Sequence, residues 1–360
     1  MKEYKLMKGN EAIAEAAIRY GVDGYFGYPI TPQSEIMETL MDEKPWETTG
    51  MVVLQAESEV AAINMLYGGA GCGKRVMTSS SSPGVSLMQE GISYIAGAEL
   101  PCLIVNIVRG GPGLGTIQPS QSDYFQSVKG GGHGDYKLIV LAPSSVQEMA
   151  DFVELGLDLA FKYRNPAMIL SDGVIGQMME KVVLKNHHKR MTNEEIAVKY
   201  PWATLGKPKN RERNIITSLE IQSQEQEKHN IKLQAKYKMI QENEVRFESF
   251  QVDDAEYLLV AYGVSARICQ KTVEIARANN LKLGLLRPIT LFPFPYKEIA
   301  KLAPQLKGIM SVEMSAGQMV EDVKLAVNGV TEVVHFGRFG GIIASPDEVL
   351  KALEQLLVKK

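Results

Sequence analysis

Short, almost unbroken apolar runs alternate with stretches of helical spacing through the first half of the chain. Gly9 to Tyr20 sets Ala12, Ile13, Ala16 and Ala17 at helical intervals. Gly24 to Tyr28, Met51 to Leu54, Arg75 to Ser79 and Cys102 to Val108 read as strands. Helical spacing returns over Gln33 to Met41, from Gln55 through Leu66 to the glycines Gly68 and Gly69, and from the run Ser79–Ser82 to Ala96. After a glycine-rich loop from Gly110 to Gly134 come a strand at Leu138–Ala142, a helix at Ser145–Tyr163 and a strand at Ala167–Leu170. Strands alternating with helices predict a mainly parallel, doubly wound α/β sheet. Strands this apolar fit a sheet covered on both faces.

The pattern changes near Asn186. Residues 187–254 are polar, with sparse apolar positions such as Ile216, Ile231, Tyr237 and Ile240. No proline or glycine stands between Ser218 and Arg246. One or two exposed helices joining two domains are expected there, either as a solvated linker or as an arm that packs on a partner. A second α/β unit begins at Tyr257–Tyr262 and ends in a helix at Pro346–Val358. The expected organisation is therefore 1–186, a polar helical linker over 187–254, and a smaller α/β domain over 255–360.

Composition narrows the function. At 360 residues, 45% apolar and 22% charged, the chain has ordinary material for two cores. A net charge of −3 with no Lys/Arg block speaks against nucleic acid and anionic membrane as partners. No apolar run reaches the ~20 residues that span a bilayer. Met1 to Lys8 has no apolar signal core, so a cytoplasmic location is expected. Cys72, Cys102 and Cys269 are dispersed and odd in number, which suits buried filler better than a disulfide, zinc or iron–sulfur framework. No metal ligand is assigned.

Tyr28-Pro29-Ile30-Thr31-Pro32 is a proline-locked turn between a strand and a helix, where open α/β sheets bind ligands. Thr31 is its one hydroxyl; as a plain structural residue it would cap the helix. Glu57 and Glu59 open the next helix, where acidic residues also serve the macrodipole. Arg109 directly follows a buried strand and precedes Gly110-Gly111-Pro112-Gly113, so a small anion can approach its fork of donors. The serine run precedes a helix N-terminus, as caps or as an anion site. Each group follows a different strand, so in a parallel sheet all face one edge. His133, in a loop from that edge, is expected near them, whereas His187 and His188 are expected to be solvated. Gly68 to Lys74 matches a phosphate-loop spacing, but it runs from helix to strand and has Arg75 where a metal-binding hydroxyl belongs, so it reads as a turn.

The succession Tyr28-Pro29-Ile30-Thr31-Pro32, Glu57-Ser58-Glu59, Arg109-Gly110-Gly111-Pro112 and Gly132-His133-Gly134-Asp135 resembles the α subunit of 2-oxoacid:ferredoxin oxidoreductases. So do Ser171-Asp172-Gly173 and Leu286-Arg287-Pro288-Ile289-Thr290. The pattern looks most like the 2-oxoisovalerate type, with the 2-oxoglutarate type close behind. The resemblance implies a pyrimidine-type thiamine-diphosphate-binding domain followed by a transketolase C-terminal-like domain. It implies CoA-dependent oxidative decarboxylation of a 2-oxoacid to acyl-CoA and CO2, with ferredoxin reduced. It assigns cofactor contacts to Tyr28, Pro29, Ile30, Thr31 and Glu59, and substrate contacts to Thr31, Arg109 and Gly110. Glu59, Thr31 and Arg109 would be the catalytic set. Thiamine diphosphate would be shared with a β subunit that holds the diphosphate and Mg2+. The iron–sulfur clusters would lie on partner subunits, and the resemblance implies γ, with or without δ, beside β. Two other readings are a non-catalytic assembly subunit and half of a thiamine enzyme that passes no electrons.

Overall fold

A computed structural model describes residues 3–207 and 212–358. The chain opens with β1 (Glu3–Lys8), which pairs antiparallel with β8 (Met179–Leu184) in a two-stranded ribbon. Sequence reasoning missed both strands, because each buries only part of one face, through Met7, Val182 and Leu184. The expected central sheet is present. It contains β2 (Gly24–Gly27), β3 (Val52–Gln55), β4 (Val76–Ser80), β5 (Leu103–Val108), β6 (Ile139–Leu141) and β7 (Ala167–Asp172). Its spatial order is β6-β7-β5-β4-β2-β3, every pair parallel. β5 and β7 are buried along their whole length, which explains their unbroken apolar reading.

Residues 187–254 are less of a linker than their polarity suggests. The expected exposed helices resolve into a short one, Asn193–Lys199, and a long one, Ser223–Asn243. The long helix lies on the first domain and buries Leu233, Tyr237 and Ile240 there, at i, i+4 and i+7. Lys236 is buried beside them, bonded to the Arg164 carbonyl (3.0 Å) and to Glu99 (3.3 Å). Burial pulls its pKa down to about 8, with Glu99 opposing. β9 (Phe247–Phe250) also falls in this stretch and forms an antiparallel edge of the second sheet.

The second sheet has the order β14-β13-β10-β11-β9. Here β10 is Tyr257–Val260, β11 Leu283–Pro288, β13 Gly308–Glu313 and β14 Val333–Gly337. Between β11 and β13 the chain crosses over: β12 (Thr290–Phe292) pairs antiparallel with β6 and completes the first domain's sheet. Arg287 braces the crossing. It is buried and bonds Glu148 and the Ala142 carbonyl on the first domain and Glu248 on β9. Gln121 adds a second brace, donating to the Tyr262 carbonyl (2.8 Å) and accepting from Ser265 (2.8 Å) and the Met314 amide (2.9 Å). A buried carboxylate, Asp322, gathers Tyr124, Lys129 and Tyr296 at the same seam.

Candidate functional site

The carboxyl ends of β2, β3, β4 and β5 share one edge, and the expected residues meet there. The proline turn after β2 is fixed from below. Asn10 donates to the Pro32 carbonyl (2.8 Å), and Gln33 donates to the Tyr28 carbonyl (3.0 Å). Ser79 donates to Gln33 (2.6 Å) and shares a hydrogen bond with Tyr25 (2.7 Å), so the first serine of the run is structural. Pro29 and Thr31 stand exposed on the turn, while Tyr28 and Ile30 are half-buried. Thr31 is not the helix cap. The helix Ser34–Glu43 begins after Gln33 and has no side-chain cap, and no described residue bonds the Thr31 hydroxyl.

Arg109 joins the strand ends. Its Nη1 donates to the Thr31 carbonyl (2.9 Å) and its Nη2 to the Leu114 carbonyl (3.0 Å). Its backbone N–H donates to Ser82 Oγ at 3.1 Å, and the same hydroxyl donates to the Arg109 carbonyl. Nε is buried with no partner among the described residues. The guanidinium is thus positioned by two carbonyls and keeps donors for an anion. Gly110 is different. Its N–H is committed to the Gln118 carbonyl (2.9 Å) and its carbonyl to the Thr116 amide (2.8 Å), so its contribution is space rather than a free donor.

Of the two candidate acids, Glu57 is exposed and Glu59 is 6% exposed. Glu59 starts the helix Glu59–Gly71 behind its cap, Ser58. Its side chain reaches across to the first turn of the helix Ser82–Gly97: a Cβ on Gly84 would stand 2.6 Å from Glu59 Oε1 and 2.1 Å from Ser80 Oγ. Gly84 therefore makes room for the carboxylate. No described residue donates a hydrogen bond to Glu59, and the hydroxyls of Thr78, Ser80 and Ser81 are buried without partners. Buried polar atoms without partners are rare and costly. A carboxylate and the Ser80 hydroxyl side by side at Gly84, at a ligand-binding sheet edge and both without partners among the described residues, fit a flat heterocycle carrying both donors and acceptors.

His133 does not join this group. Its ring lies edge-on to Tyr94 and 3.5 Å from Ser93, on the later turns of Ser82–Gly97 rather than at its N-terminus. The Gly130–Asp135 loop folds back along that helix, which the sequence spacing does not reveal. His187 and His188 are both exposed, as expected, His188 lying beside the Tyr20 ring, whereas Cys72 is half-buried rather than core filler. Sequence reasoning did not single out Asp172 as a cap. Its Oδ1 accepts from the amides of Val174 (2.8 Å) and Ile175 (3.2 Å), and the Val264 amide of the second domain also reaches it. Burial raises its pKa to about 6, against those hydrogen bonds. Among the described residues no group of three or more His, Cys, Asp or Glu side chains could hold a metal ion.

Comparison with known proteins identifies the family. A family model described as "Pyruvate flavodoxin/ferredoxin oxidoreductase, thiamine diP-bdg" matches residues 15–246. Another, "Pyruvate:ferredoxin oxidoreductase core domain II", matches residues 255–349. Ketoisovalerate oxidoreductase subunit VorB of Methanothermobacter marburgensis is 49% identical over 355 residues, covering 98% of this chain and 97% of the relative. 2-Oxoglutarate synthase subunit KorA of Methanocaldococcus jannaschii is 34% identical, covering 97% of this chain and 99% of the relative. Among solved structures, the 2-oxoglutarate:ferredoxin oxidoreductase from Magnetococcus marinus, with 2-oxoglutarate, coenzyme A and succinyl-CoA bound, superposes with a TM-score of 0.83 at 25% identity. The match covers 98% of this chain and 65% of that longer one. A split-gene transketolase (TM-score 0.59, 11% identity, 98% of each chain) shares the fold alone. With one family model on each α/β domain and a relative at 49% identity over nearly the whole of both chains, the chain belongs to the 2-oxoacid:ferredoxin oxidoreductases.

Proposed function

We propose that this chain is the α subunit of a thiamine-diphosphate-dependent 2-oxoacid:ferredoxin oxidoreductase that converts 2-oxoisovalerate, CO2 being released and the acyl group passed to CoA. The observation that carries the reading is the joining of three strand ends: Arg109 is bonded to the Thr31 turn and to Ser82, and Ser82 starts the helix whose Gly84 makes room for the buried Glu59. The similarity to ketoisovalerate oxidoreductase subunits over nearly the whole chain supports the choice of oxoacid.

Thiamine diphosphate, when bound, supplies the nucleophilic carbon and the electron sink for decarboxylation. The chain's own residues would serve it as follows. Glu59 would hold the pyrimidine ring through a hydrogen bond and supply the carboxylate for general acid–base work there. Thr78, Ser80 and Ser81 offer hydroxyls to the polar edge of the ring. Tyr28, Pro29 and Ile30 form the wall it rests against. Arg109 clamps the substrate carboxylate, and the Thr31 hydroxyl bonds the keto oxygen. Gly110 leaves room for the substrate. The diphosphate and Mg2+ belong to a β partner and the iron–sulfur clusters to partner subunits, γ with or without δ; ferredoxin takes the electrons, and the complex works in the cytoplasm.

The test is co-expression with the cluster-bearing partners. The reading expects a brown complex that reduces a viologen dye only when 2-oxoisovalerate, CoA and thiamine diphosphate are all supplied. A colourless complex that decarboxylates without reducing dye, or one whose thiamine binding ignores substitution of Thr31, Glu59 and Arg109, overturns it.

A further inference from the structure

The seam between the two domains opens beside Arg109 into a cleft of about 440 Å³. Its near wall is the Arg109–Gly113 loop and the start of the helix Ser82–Gly97. Its far wall comes from the second domain, which contributes Ala316 and Phe339 to the lining. Phe339 is 65% exposed, which is uneconomical for an aromatic ring that has nothing to cover. It sits on a loop whose backbone, at Gly340 and Gly341, closes on Gly110.

The charge pattern of this cleft is asymmetric. Among the described lining residues Arg109 is the one cation and Asp123 the one anion. The other cations close by are committed elsewhere: Arg338, next to Phe339, pairs with Glu348, and Lys129 pairs with Asp322. Asp123 is held in place by Asn106 Nδ2 at 2.9 Å. Burial raises its pKa, so a second carboxylate brought beside it must either crowd two charges together with little water or take up a proton. Both alternatives cost free energy. An acid with an apolar side chain meets no such cost and gains contact with Phe339, Ala316 and Pro112.

We propose that Asp123 and Phe339 set the side-chain selectivity of this site: the cleft accepts a 2-oxoacid with one carboxylate and a neutral, apolar side chain, and it rejects dicarboxylic 2-oxoacids. Phe339 acts by attraction and Asp123 by exclusion, the two halves of a specificity difference. The inference rests on the reading of Arg109 as the carboxylate clamp and deepens it by assigning the opposite end of the substrate.

The experiment measures kcat/KM for 2-oxoisovalerate, pyruvate and 2-oxoglutarate with the co-expressed complex, dye reduction being followed for wild type, Asp123→Asn, Phe339→Ala and Phe339→Leu. Wild type is expected to prefer 2-oxoisovalerate to 2-oxoglutarate by about 100-fold or more, the scale of leaving one charged group unpaired. Asp123→Asn should raise the 2-oxoglutarate to 2-oxoisovalerate ratio about tenfold. Phe339→Ala should lower 2-oxoisovalerate use about tenfold more than pyruvate use, and Phe339→Leu should restore most of the difference. Ratios unchanged in both Asp123→Asn and Phe339→Ala, with turnover retained, overturn this inference alone. A wild-type complex that turns over no 2-oxoacid overturns the enzymatic reading beneath it as well.

Discussion

Glu57 and Glu59 differ by two positions, and a helix start gives both the same electrostatic excuse for being acidic. Their environments separate them: one is in water, and the other lies against Gly84 and Ser80 with no donor. Glu59→Gln should slow turnover by roughly 10²–10⁴-fold, the usual range for a lost general acid–base contact. Glu57→Gln should change it less than about twofold, because an exposed carboxylate far from its partners contributes little. Proton–deuterium exchange at C2 of thiamine bound to the complex, followed by NMR, checks this. Equal exchange in wild type and Glu59→Gln removes Glu59 from its role. At this scale the sequence was informative because three different strands each ended in an unusual residue. It was uninformative about His133, whose place depends on how a glycine-rich loop folds back, and glycines leave that path open. Nor could it show that the Gly110 amide is used within its own loop.

Among the elements, the helix Ser223–Asn243 has the weakest sequence signal and a definite structural role. Charged and amide residues fill most of it, yet three apolar positions and the stem of Lys236 fasten it to the first domain. Its polarity made it resemble a solvated arm, because a narrow stripe on a long helix barely registers in composition. Tyr237→Ala should destabilise the chain by about 3 kcal/mol, as expected for emptying a buried aromatic site. Met239→Ser, on the exposed side of the same helix, should stay within about 0.5 kcal/mol. Denaturant unfolding of the two variants checks the contrast, and equal midpoints would mean that the helix carries no packing energy. The parallel strands were the legible elements, since burial on both faces writes itself into consecutive residues. The short strands β1, β8 and β9 were not, because each relies on a partner distant in sequence.

For the molecule as a whole, Asp172 ties ionisation to the closure of the domain seam. Its carboxylate receives amides from the start of the helix Gly173–Gln177 and from Val264 across the seam. A folded-state pKa of about 6, above the ordinary value of 3.8, means that the native chain binds the extra proton between about pH 4 and pH 6. Stability therefore falls as pH rises through that window, by about 2–3 kcal/mol for this group. Asp172→Asn keeps an oxygen for the amides and has no charge to bury. Unfolding free energies measured from pH 4 to pH 7 should show the variant gaining on wild type by that amount, whereas parallel curves would show that the carboxylate does not titrate with folding. Alternating strands and helices announced two α/β domains, but the seam was invisible in sequence, being made by single residues such as Gln121, Arg287 and Asp322 whose partners lie far along the chain.

The passage of β12 into the neighbouring sheet has a consequence for biosynthesis. While the polypeptide is still emerging from the ribosome, the finished amino-terminal half must wait with the backbone of Ile139–Leu141 bare, an open edge that invites pairing with a stranger. Only when Thr290–Phe292 has been translated can that edge be sealed. A nascent chain cut short between the two halves should accordingly be a substrate for chaperones and a seed for aggregates, and not a usable fragment.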